Sequence, residues 1–397
     1  MISTTLSPAF VRGAAELETT ARGLRAHRLP AWVREQFPDP QLMMVEAQPS
    51  GVRVVVSTSA QTIELVSHST RTTYRGVVRP RGSVDLVVDG HPVATDLFDG
   101  GDAIEINLQT GESVLIAGDA HTSTFEVPAG AKTVELWLPH NESLELIELR
   151  TDAPVAPVDS DRPVWLHHGS SISHGSNAST PAQIWPAVAA RLGGVELTNL
   201  GFGGSALVDP FMARVIRDSP ADFISVKLGI NVVNLDGMRL RTFVPAVHGF
   251  LDTIRDGHPD TPIVLISPIF CGIHEDTPGP GAFDPASFGT GQMKFIATGK
   301  SEEQAQGKLT LRVIRTALES LVQRRASDAN LHYLDGTVLY GEGDAEAHPL
   351  PDALHPDTET HRFIGERFAD YAFAETGPFA ASRRSIAAAV PDASRRR

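Results

Sequence analysis

Between residues 42 and 150 the hydrophobic positions recur in short runs rich in β-branched side chains, separated by turn residues such as Asp89-Gly90. Runs of this length and period predict β-strands. Eight strands without helices between them indicate a β-sandwich with a jelly-roll-like arrangement. The expected strands are residues 52–56, 62–66, 84–88, 103–106, 113–116, 124–127, 134–138 and 144–149.

After residue 161 the pattern changes to apolar strand candidates that alternate with stretches of helical length. This alternation predicts a parallel, doubly wound sheet that helices cover on both faces. The expected strands are 164–167, 195–200, 223–228, 262–267 and 331–334, and the expected helices are 181–192, 211–217, 241–256, 309–325 and 358–373.

The change of pattern divides the chain into parts. An N-terminal β-sandwich domain is expected over residues 1–150, with a short leading helix over 11–26. A Pro- and Asp-rich linker follows at 151–161, and the α/β domain covers 162–376. The Ala-, Ser- and Arg-rich residues 377–397 are expected to form a flexible tail. The length of 397 residues agrees with two domains, because one hydrophobic core rarely serves more than about 250–300 residues.

The composition is that of a globular protein, with 41% hydrophobic and 21% charged residues. The net charge of −14 argues against a nucleic-acid partner, whose phosphates would repel it. The single cysteine, Cys271, excludes an internal disulfide and a multi-cysteine metal site, which fits a reducing compartment. Because neither a signal-peptide pattern nor an apolar run of transmembrane length occurs, we expect a soluble, cytoplasmic protein without membrane contact.

The segment Gly169-Ser170-Ser171-Ile172-Ser173-His174-Gly175 directly follows an apolar run at 164–166. A serine in a Gly-flanked turn after such a strand lies at the carboxyl end of the sheet, where open α/β folds place their active sites. A histidine that could activate it stands near the other end of the chain, in Asp352-Ala353-Leu354-His355. Histidine exchanges protons near neutral pH, and an aspartate three residues away can reach it. The pattern predicts a serine nucleophile with a histidine base and a carboxylate.

Four segments in this order resemble the SGNH, or GDSL, family of serine hydrolases. They are the serine segment above, Asn199-Leu200-Gly201-Phe202-Gly203-Gly204, Gly229-Ile230-Asn231-Val232 and Asp352-Ala353-Leu354-His355. The resemblance covers residues 162–376 and implies a flavodoxin-like, three-layer α/β domain. The sequence departs from the family pattern at Ser170 and Val232, where the family has aspartates.

The resemblance implies a role for each matched residue. Ser171 would be the nucleophile, His355 the base, and Asp352 the carboxylate that orients it. The backbone N–H of Ser171, with Gly204 and Asn231, would form the oxyanion hole that stabilises negative charge on the acyl oxygen. Structural alternatives stay open: Ser171 and the Asp352–His355 pair as helix caps, Gly204 as a tight-turn residue and Asn231 in an Asn-capped turn.

No metal ion or cofactor is expected. His167 and His168 are adjacent, so on a strand they face opposite sides and do not ligate one ion easily. No carboxylate–histidine pair has the spacing of a helical metal site.

Residues 271–308 form a long Pro- and Gly-rich stretch with little periodicity, after the fourth strand of the predicted parallel sheet. Its position predicts that it lies near Ser171 as a functional loop, and a plain surface excursion is the alternative. Within it, His274, Glu275 and Asp276 are expected to be solvated, and contact with a substrate is the alternative.

Three classes of function agree with these features. A sandwich followed by an SGNH domain is similar in layout to the salicylyl acyltransferases of tetracycline biosynthesis. That layout implies transfer from a small-molecule thioester donor, such as an acyl-CoA or aryl thioester, to a polyketide-type hydroxyl. The alternatives are a carboxylester or carbohydrate esterase and a non-catalytic binding protein. The sandwich itself would either bind carbohydrate or shape the substrate cleft of the α/β domain. The sequence leaves the oligomeric state open.

Overall fold

The computed structural model describes residues 1–77, 79–107 and 109–380. Its first half is built from strands β1 (Ile2–Thr4), β2 (Val11–Arg12), β3 (Glu16–Thr19), β4 (Leu24–His27), β5 (Arg53–Thr58), β6 (Thr62–Tyr74), β7 (Ser83–Val88), β8 (His91–Leu97), β9 (Asp102–Ile106), β10 (Ser113–Ile116), β11 (His121–Glu126), β12 (Lys132–Trp137), β13 (Ser143–Thr151) and β14 (Val155–Ala156).

These strands form two sheets. One has the order β10-β9-β6-β13-β4-β3, with β1 on β13 and β11 on β6, and the other has the order β14-β5-β12-β7-β8, with β2 on β5. Inward-facing residues of both sheets, among them Ile63 and Leu146 of the first and Val54 and Leu136 of the second, share one buried cluster. The predicted β-sandwich is therefore confirmed.

The predicted helix over residues 11–26 is wrong, because β2, β3 and β4 occupy that stretch. β3 and β4 form a hairpin whose turn is held by the Thr20 hydroxyl, which donates to Gly23 O. β4 then pairs with β13. Pairing with a strand more than 100 residues away decides the local structure here, which a local period cannot show.

Helices of the N-terminal part occur later, as α1 (Ala31–Gln36) and α2 (Pro40–Glu46). The Asp39 carboxylate caps α2 by accepting from Leu42 N–H at 2.9 Å. Val33, Leu42 and Val45 belong to the buried cluster of the α/β domain rather than to that of the sandwich. The two halves thus share a core through this segment.

The second half contains the predicted parallel sheet. Strands β15 (Val164–Gly169), β16 (Glu196–Gly201), β17 (Phe223–Lys227), β18 (Ile263–Ile266) and β21 (Leu331–Leu334) have the order β16-β15-β17-β18-β21. All neighbours are parallel, which is the flavodoxin-like order. A separate hairpin pairs β19 (Gly281–Phe283) with β20 (Phe295–Ala297).

Helices cover both faces of this sheet. They are α3 (Ser171–His174), α4 (Trp185–Gly193), α5 (Pro210–Asp218), α6 (Ile230–Asn234), α7 (Leu240–Gly257), α8 (Leu311–Arg324), α9 (Gly336–Leu339), α10 (Glu342–Ala347) and α11 (Thr358–Ala372), with short 3₁₀ helices at Pro8–Phe10, Pro181–Gln183, Pro285–Ser287 and Ser301–Gln306. One buried cluster joins the sheet to α5, α7 and α8, and another joins it to α4 and α11. The three-layer α/β fold is confirmed.

The structure differs from the expected segment ends in two places. β14 lies within the predicted linker and pairs with β5, so the sandwich continues past residue 150. Phe379, placed in the predicted tail, is fully buried and stacks on Phe223 at 4.8 Å between ring centroids. The rest of that tail, residues 381–397, lies outside the described residues. Among the described residues, no helix has both the length and the apolar character needed to span a bilayer.

Candidate active site

Ser171 lies directly after β15, at the carboxyl edge of the parallel sheet. The chain leaves the strand through Gly169 and Ser170, and Ser171 is the first residue of α3. A Cβ on Gly169 would stand 2.3 Å from Ser173 Oγ, so only glycine fits this close turn. The first N–H groups of a helix have no intrahelical acceptor, so the Ser171 N–H is available to a ligand.

His355 and Asp352 stand beside this serine in one hydrogen-bonded chain. His355 Nε2 is 2.9 Å from Ser171 Oγ, and His355 Nδ1 is 2.8 Å from Asp352 Oδ2. Asp352 Oδ1 accepts from the backbone N–H groups of Leu354 and His355. Asn177, which the sequence did not single out, donates to Asp352 Oδ2 at 3.0 Å. A tight turn with Ala353 at a φ of +68° brings these groups together.

The electrostatics of Asp352 suit an orienting carboxylate. Burial would raise the pKa of Asp352, but the hydrogen bond and charge of His355 and the two backbone N–H groups hold that pKa below its ordinary value. Asp352 is therefore ionised at neutral pH, accepts the Nδ1 proton of His355, and leaves Nε2 to accept the proton of Ser171.

The Gly201–Gly204 loop lies next to Ser171, and Asn231 is bound to the chain just after this loop. A Cβ on Gly203 would stand 3.7 Å from Ser171 Cβ, which places this loop against the serine. Gly204 has a φ of +73°, in the left-handed region that favours glycine. Asn231 Oδ1 accepts from Ala206 N–H at 3.1 Å, which leaves the Nδ2 end of the amide as a donor. The structure thus joins Ser171, His355 and Asp352 directly and places Gly204 in the adjoining loop, to which Asn231 is bound through Ala206; their roles in an oxyanion hole stay a prediction.

Comparisons with known proteins agree with this arrangement. Residues 162–271 match the GDSL-like lipase/acylhydrolase family, and residues 10–146 match the SsfX3 N-terminal domain. The salicylyl-acyltransferase SsfX3 from a tetracycline biosynthetic pathway is 28% identical, with 92% of this chain and 94% of that chain covered and a TM-score of 0.74. The protein is an enzyme whose α/β domain is similar to GDSL-like acylhydrolases and whose two halves are together similar to the acyltransferase SsfX3.

Two more distant structures resemble the enzyme in fold alone. A GDSL-like lipase from Bacteroides ovatus is 19% identical over 90% of this chain and 93% of its own, with a TM-score of 0.61. A family two carbohydrate esterase from Clostridium thermocellum is 14% identical over 81% of this chain and 90% of its own, with a TM-score of 0.54. None of the curated proteins matches the chain.

The two departures from the family pattern are both buried in the enzyme. Val232 is fully buried in the apolar cluster beside α5 and α7, where a carboxylate would lose its hydration without a partner. Ser170 Oγ is also buried, and it has no hydrogen-bond partner among the described residues. Neither side chain is part of the Ser171–His355–Asp352 chain.

The segment 271–308 lies beside the enzyme's site, as predicted. The Phe295 ring packs edge-on against His355 at 5.5 Å between centroids, and Phe295 N–H donates to Asp352 O at 2.9 Å. Phe283 packs on Phe295 at 4.9 Å across the β19–β20 hairpin. The hairpin thus forms an aromatic wall next to the histidine, which the weak periodicity of this segment did not indicate.

The expectation that His274 and Glu275 are solvated is wrong. His274 is fully buried and hydrogen-bonds Thr277 O, and Glu275 is paired with Arg315 of α8. Arg315 is 40 residues away in the sequence, so local polarity could not reveal the pair. Asp276 is exposed, as expected, and pairs with Arg312.

His167 and His168 face opposite sides of β15, as predicted. His167 hydrogen-bonds Ser225 and Ser173, and His168 hydrogen-bonds Leu200 O. Burial lowers the pKa of His167 well below its ordinary value and that of His168 to about 4. Within the described part of the chain, no group of three His, Cys, Asp or Glu side chains is arranged to hold a metal ion.

Arg28, the residue after β4, links the N-terminal half to the end of β16. Its fully buried guanidinium donates to Gly201 O at 2.6 Å and to Asn199 O at 3.1 Å, at the end of β16. It also donates to Val45 O and Gln48 O, on and just after α2. No local pattern singles out Arg28 in the sequence, since its partners on β16 lie about 170 residues away.

Asp209, which follows the Gly-rich loop, should make stability depend on pH. Burial and the nearby charge of Asp39 raise the pKa of Asp209 to about 6. An unfolded aspartate titrates near 3.9, so between about pH 4 and pH 6 the folded enzyme holds a proton that the unfolded chain releases. The stabilisation that the Asp209 carboxyl contributes is therefore present below pH 4 and is lost as the pH rises through 6.

We expect Asp209→Asn to raise the urea midpoint of unfolding at pH 7.5 but not at pH 4. The exposed Asp218→Asn is the control, and equal midpoints for Asp209→Asn and the parent at pH 7.5 would contradict the assignment.

Proposed function

We propose that the enzyme transfers an acyl group through an ester on Ser171 Oγ, from a thioester donor to a hydroxyl of a small, polyketide-type molecule. Ser171 Oγ attacks the thioester carbonyl while His355 Nε2 takes its proton. The Ser171 and Gly204 N–H groups and the Asn231 amide stabilise the oxyanion. The C–S bond then breaks, and the thiol leaves with the proton from His355.

In the second half-reaction the acceptor hydroxyl gives its proton to His355 Nε2 and attacks the acyl carbon. The tetrahedral intermediate expels Ser171 Oγ, which recovers the proton. The observation that carries this proposal is the chain from Ser171 Oγ through His355 to Asp352, with contacts of 2.9 and 2.8 Å. Water could take the place of the acceptor, and the enzyme would then be an esterase.

Two observations support transfer over hydrolysis. The sequence and fold are similar to those of the salicylyl-acyltransferase SsfX3 over both halves of the chain. The Phe283 ring is 37% exposed beside the Phe295–His355 contact and offers an apolar surface for a planar acceptor. Excluding water from an acyl-enzyme favours transfer to a bound alcohol. A cytoplasmic location, where thioester donors would be available, stays a prediction.

Partitioning of the acyl-enzyme tests this proposal. The enzyme is mixed with an acyl N-acetylcysteamine thioester, and its intact mass is followed with and without a phenolic acceptor. We expect an acyl adduct that persists in water and is discharged to the phenol as an ester product. Release of the free acid at one rate, whether or not the phenol is present, would instead identify an esterase.

A further inference from the structure

The peptide bond between Gly203 and Gly204 is held by a side chain from the N-terminal half. Gln41, the second residue of α2, donates from Nε2 to Gly203 O at 2.8 Å. Its Nε2, Cγ and Cδ atoms would stand 3.3 to 3.5 Å from a Cβ on Gly204. Gln41 is thus the side chain that lies along this peptide, although it is itself exposed.

A trans peptide is planar, so its C=O and N–H groups point in opposite directions. Fixing the Gly203 oxygen therefore also fixes the direction of the Gly204 N–H, which belongs to the same peptide. A hydrogen bond accepted by the carbonyl also polarises the amide, which makes its N–H a stronger donor. One hydrogen bond to the Gly203 oxygen can thus both orient the Gly204 N–H and make it a stronger donor.

We infer that Gln41 is a positioning residue that aims the Gly204 N–H into the oxyanion hole. The N-terminal half thereby completes the active site of the α/β domain. This inference rests on the proposed function, in which the Gly204 N–H stabilises the oxyanion.

Neighbouring contacts leave the Gly204 N–H as the donor of this loop. His174 Nε2 donates to His140 O, so His174 Nδ1 is an acceptor; it receives Arg28 Nη2 at 3.3 Å and the Gly203 N–H at 3.4 Å. Burial and the charge of Arg28 lower the pKa of His174 well below its ordinary value, which keeps this ring neutral. The Gly203 N–H therefore donates to His174 and is not the loop's donor to a substrate.

The position of α2, which carries Gln41, is also fixed. Asp39 caps α2, and Leu42 and Val45 are buried in the cluster that contains Phe202 of the loop. Arg28 joins Val45 O to Gly201 O. The distance between α2 and the loop is thus set by buried contacts, and the Gln41 amide completes the link on the solvent side.

Substitutions at Gln41 test the inference with readouts that a merely structural role would not move. Gln41→Leu should lower kcat for thioester consumption about 10- to 100-fold, less than direct loss of a donor, with little change in KM. The affinity for a trifluoromethyl ketone, which forms an oxyanion on Ser171, should fall by a similar factor. Gln41→Glu should lose at least as much, because a carboxylate cannot donate to Gly203 O. Gln41→Lys, which restores a donor, should recover part of the activity.

Gln36→Leu, an exposed glutamine at the end of α1, is the matched control and should behave as the parent. If Gln41→Leu keeps kcat and ketone affinity within twofold of the parent, or changes KM alone, the inference is overturned. Ser171→Ala separates this failure from that of the proposed function. An inactive Ser171→Ala beside an unaffected Gln41→Leu rejects only the role of Gln41, whereas an active Ser171→Ala rejects the acyl-serine mechanism itself.

Discussion

Replacing Ser171 with alanine should abolish the acyl adduct and lower turnover of the thioester by about 10⁴- to 10⁶-fold. The reason is that the nearby Ser173 hydroxyl is engaged elsewhere and cannot replace Ser171 Oγ. Ser173 Oγ is held by His167 Nε2 at 2.7 Å, on the inner side of the turn. Intact-mass spectrometry shortly after mixing with the thioester, together with free-thiol release, measures both quantities.

Ser170→Ala is the control for this substitution. Ser170 Oγ is buried without a partner among the described residues and does not cap α3, so its removal should leave activity within a few-fold of the parent. An adduct of equal yield on Ser171→Ala would place the nucleophile elsewhere. Loss of the adduct on Ser170→Ala alone would point to the neighbouring serine.

The contacts between Ser171, His355 and Asp352 could be predicted from the sequence because each of these residues stands in a local pattern. Ser171 follows an apolar strand and a glycine, and Asp352 and His355 are close enough in the chain to share one turn. The parallel sheet then brings the ends of its strands to one edge, so residues 184 positions apart meet. Asn177 has no such pattern, and its contact with Asp352 depends on how two loops meet.

The fold could be predicted where a strand or helix has a clear hydrophobic period of its own. It could not be predicted where pairing with a strand far away in the sequence determines the local structure. The strands of the sandwich and of the parallel sheet alternate or run apolar as buried strands do. β3 and β4 have no such pattern, and β13 holds β4 in place through pairs such as Leu24–Leu146. The Gln41 and Arg28 contacts to the Gly-rich loop likewise join residues that only the assembled core brings together.

Replacing Arg28 with methionine should cost the largest stability of any substitution considered for this enzyme. The side chain is fully buried, and its guanidinium binds the carbonyl oxygens of Asn199, Gly201, Val45 and Gln48. Burial lowers the pKa of Arg28 to about 9, so it remains charged at pH 7.5. Methionine fills much of the volume but removes the buried guanidinium's hydrogen bonds to these carbonyls, of which Gln48 O keeps a second donor in the Ser50 N–H, and we expect a cost of about 3–5 kcal/mol. The free energy of unfolding in urea measures this loss.

Arg25→Met is the matched control, because Arg25 lies on β4 three residues before Arg28 but is 36% exposed, and its partners are the exposed Glu18 and Glu145, which Arg22 also binds. Its loss should cost less than about 1 kcal/mol. Arg28→Lys should resemble Arg28→Met, because a single ammonium cannot reach carbonyls on both sides as the planar guanidinium does. An Arg28→Met variant as stable as Arg25→Met would show that these carbonyls do not depend on Arg28.

The same substitution should also affect activity. Where Arg28→Met is folded at low temperature, we expect its kcat to be lower than that of the parent. The Gly201 oxygen that Arg28 holds lies at the start of the loop that carries the Gly204 N–H.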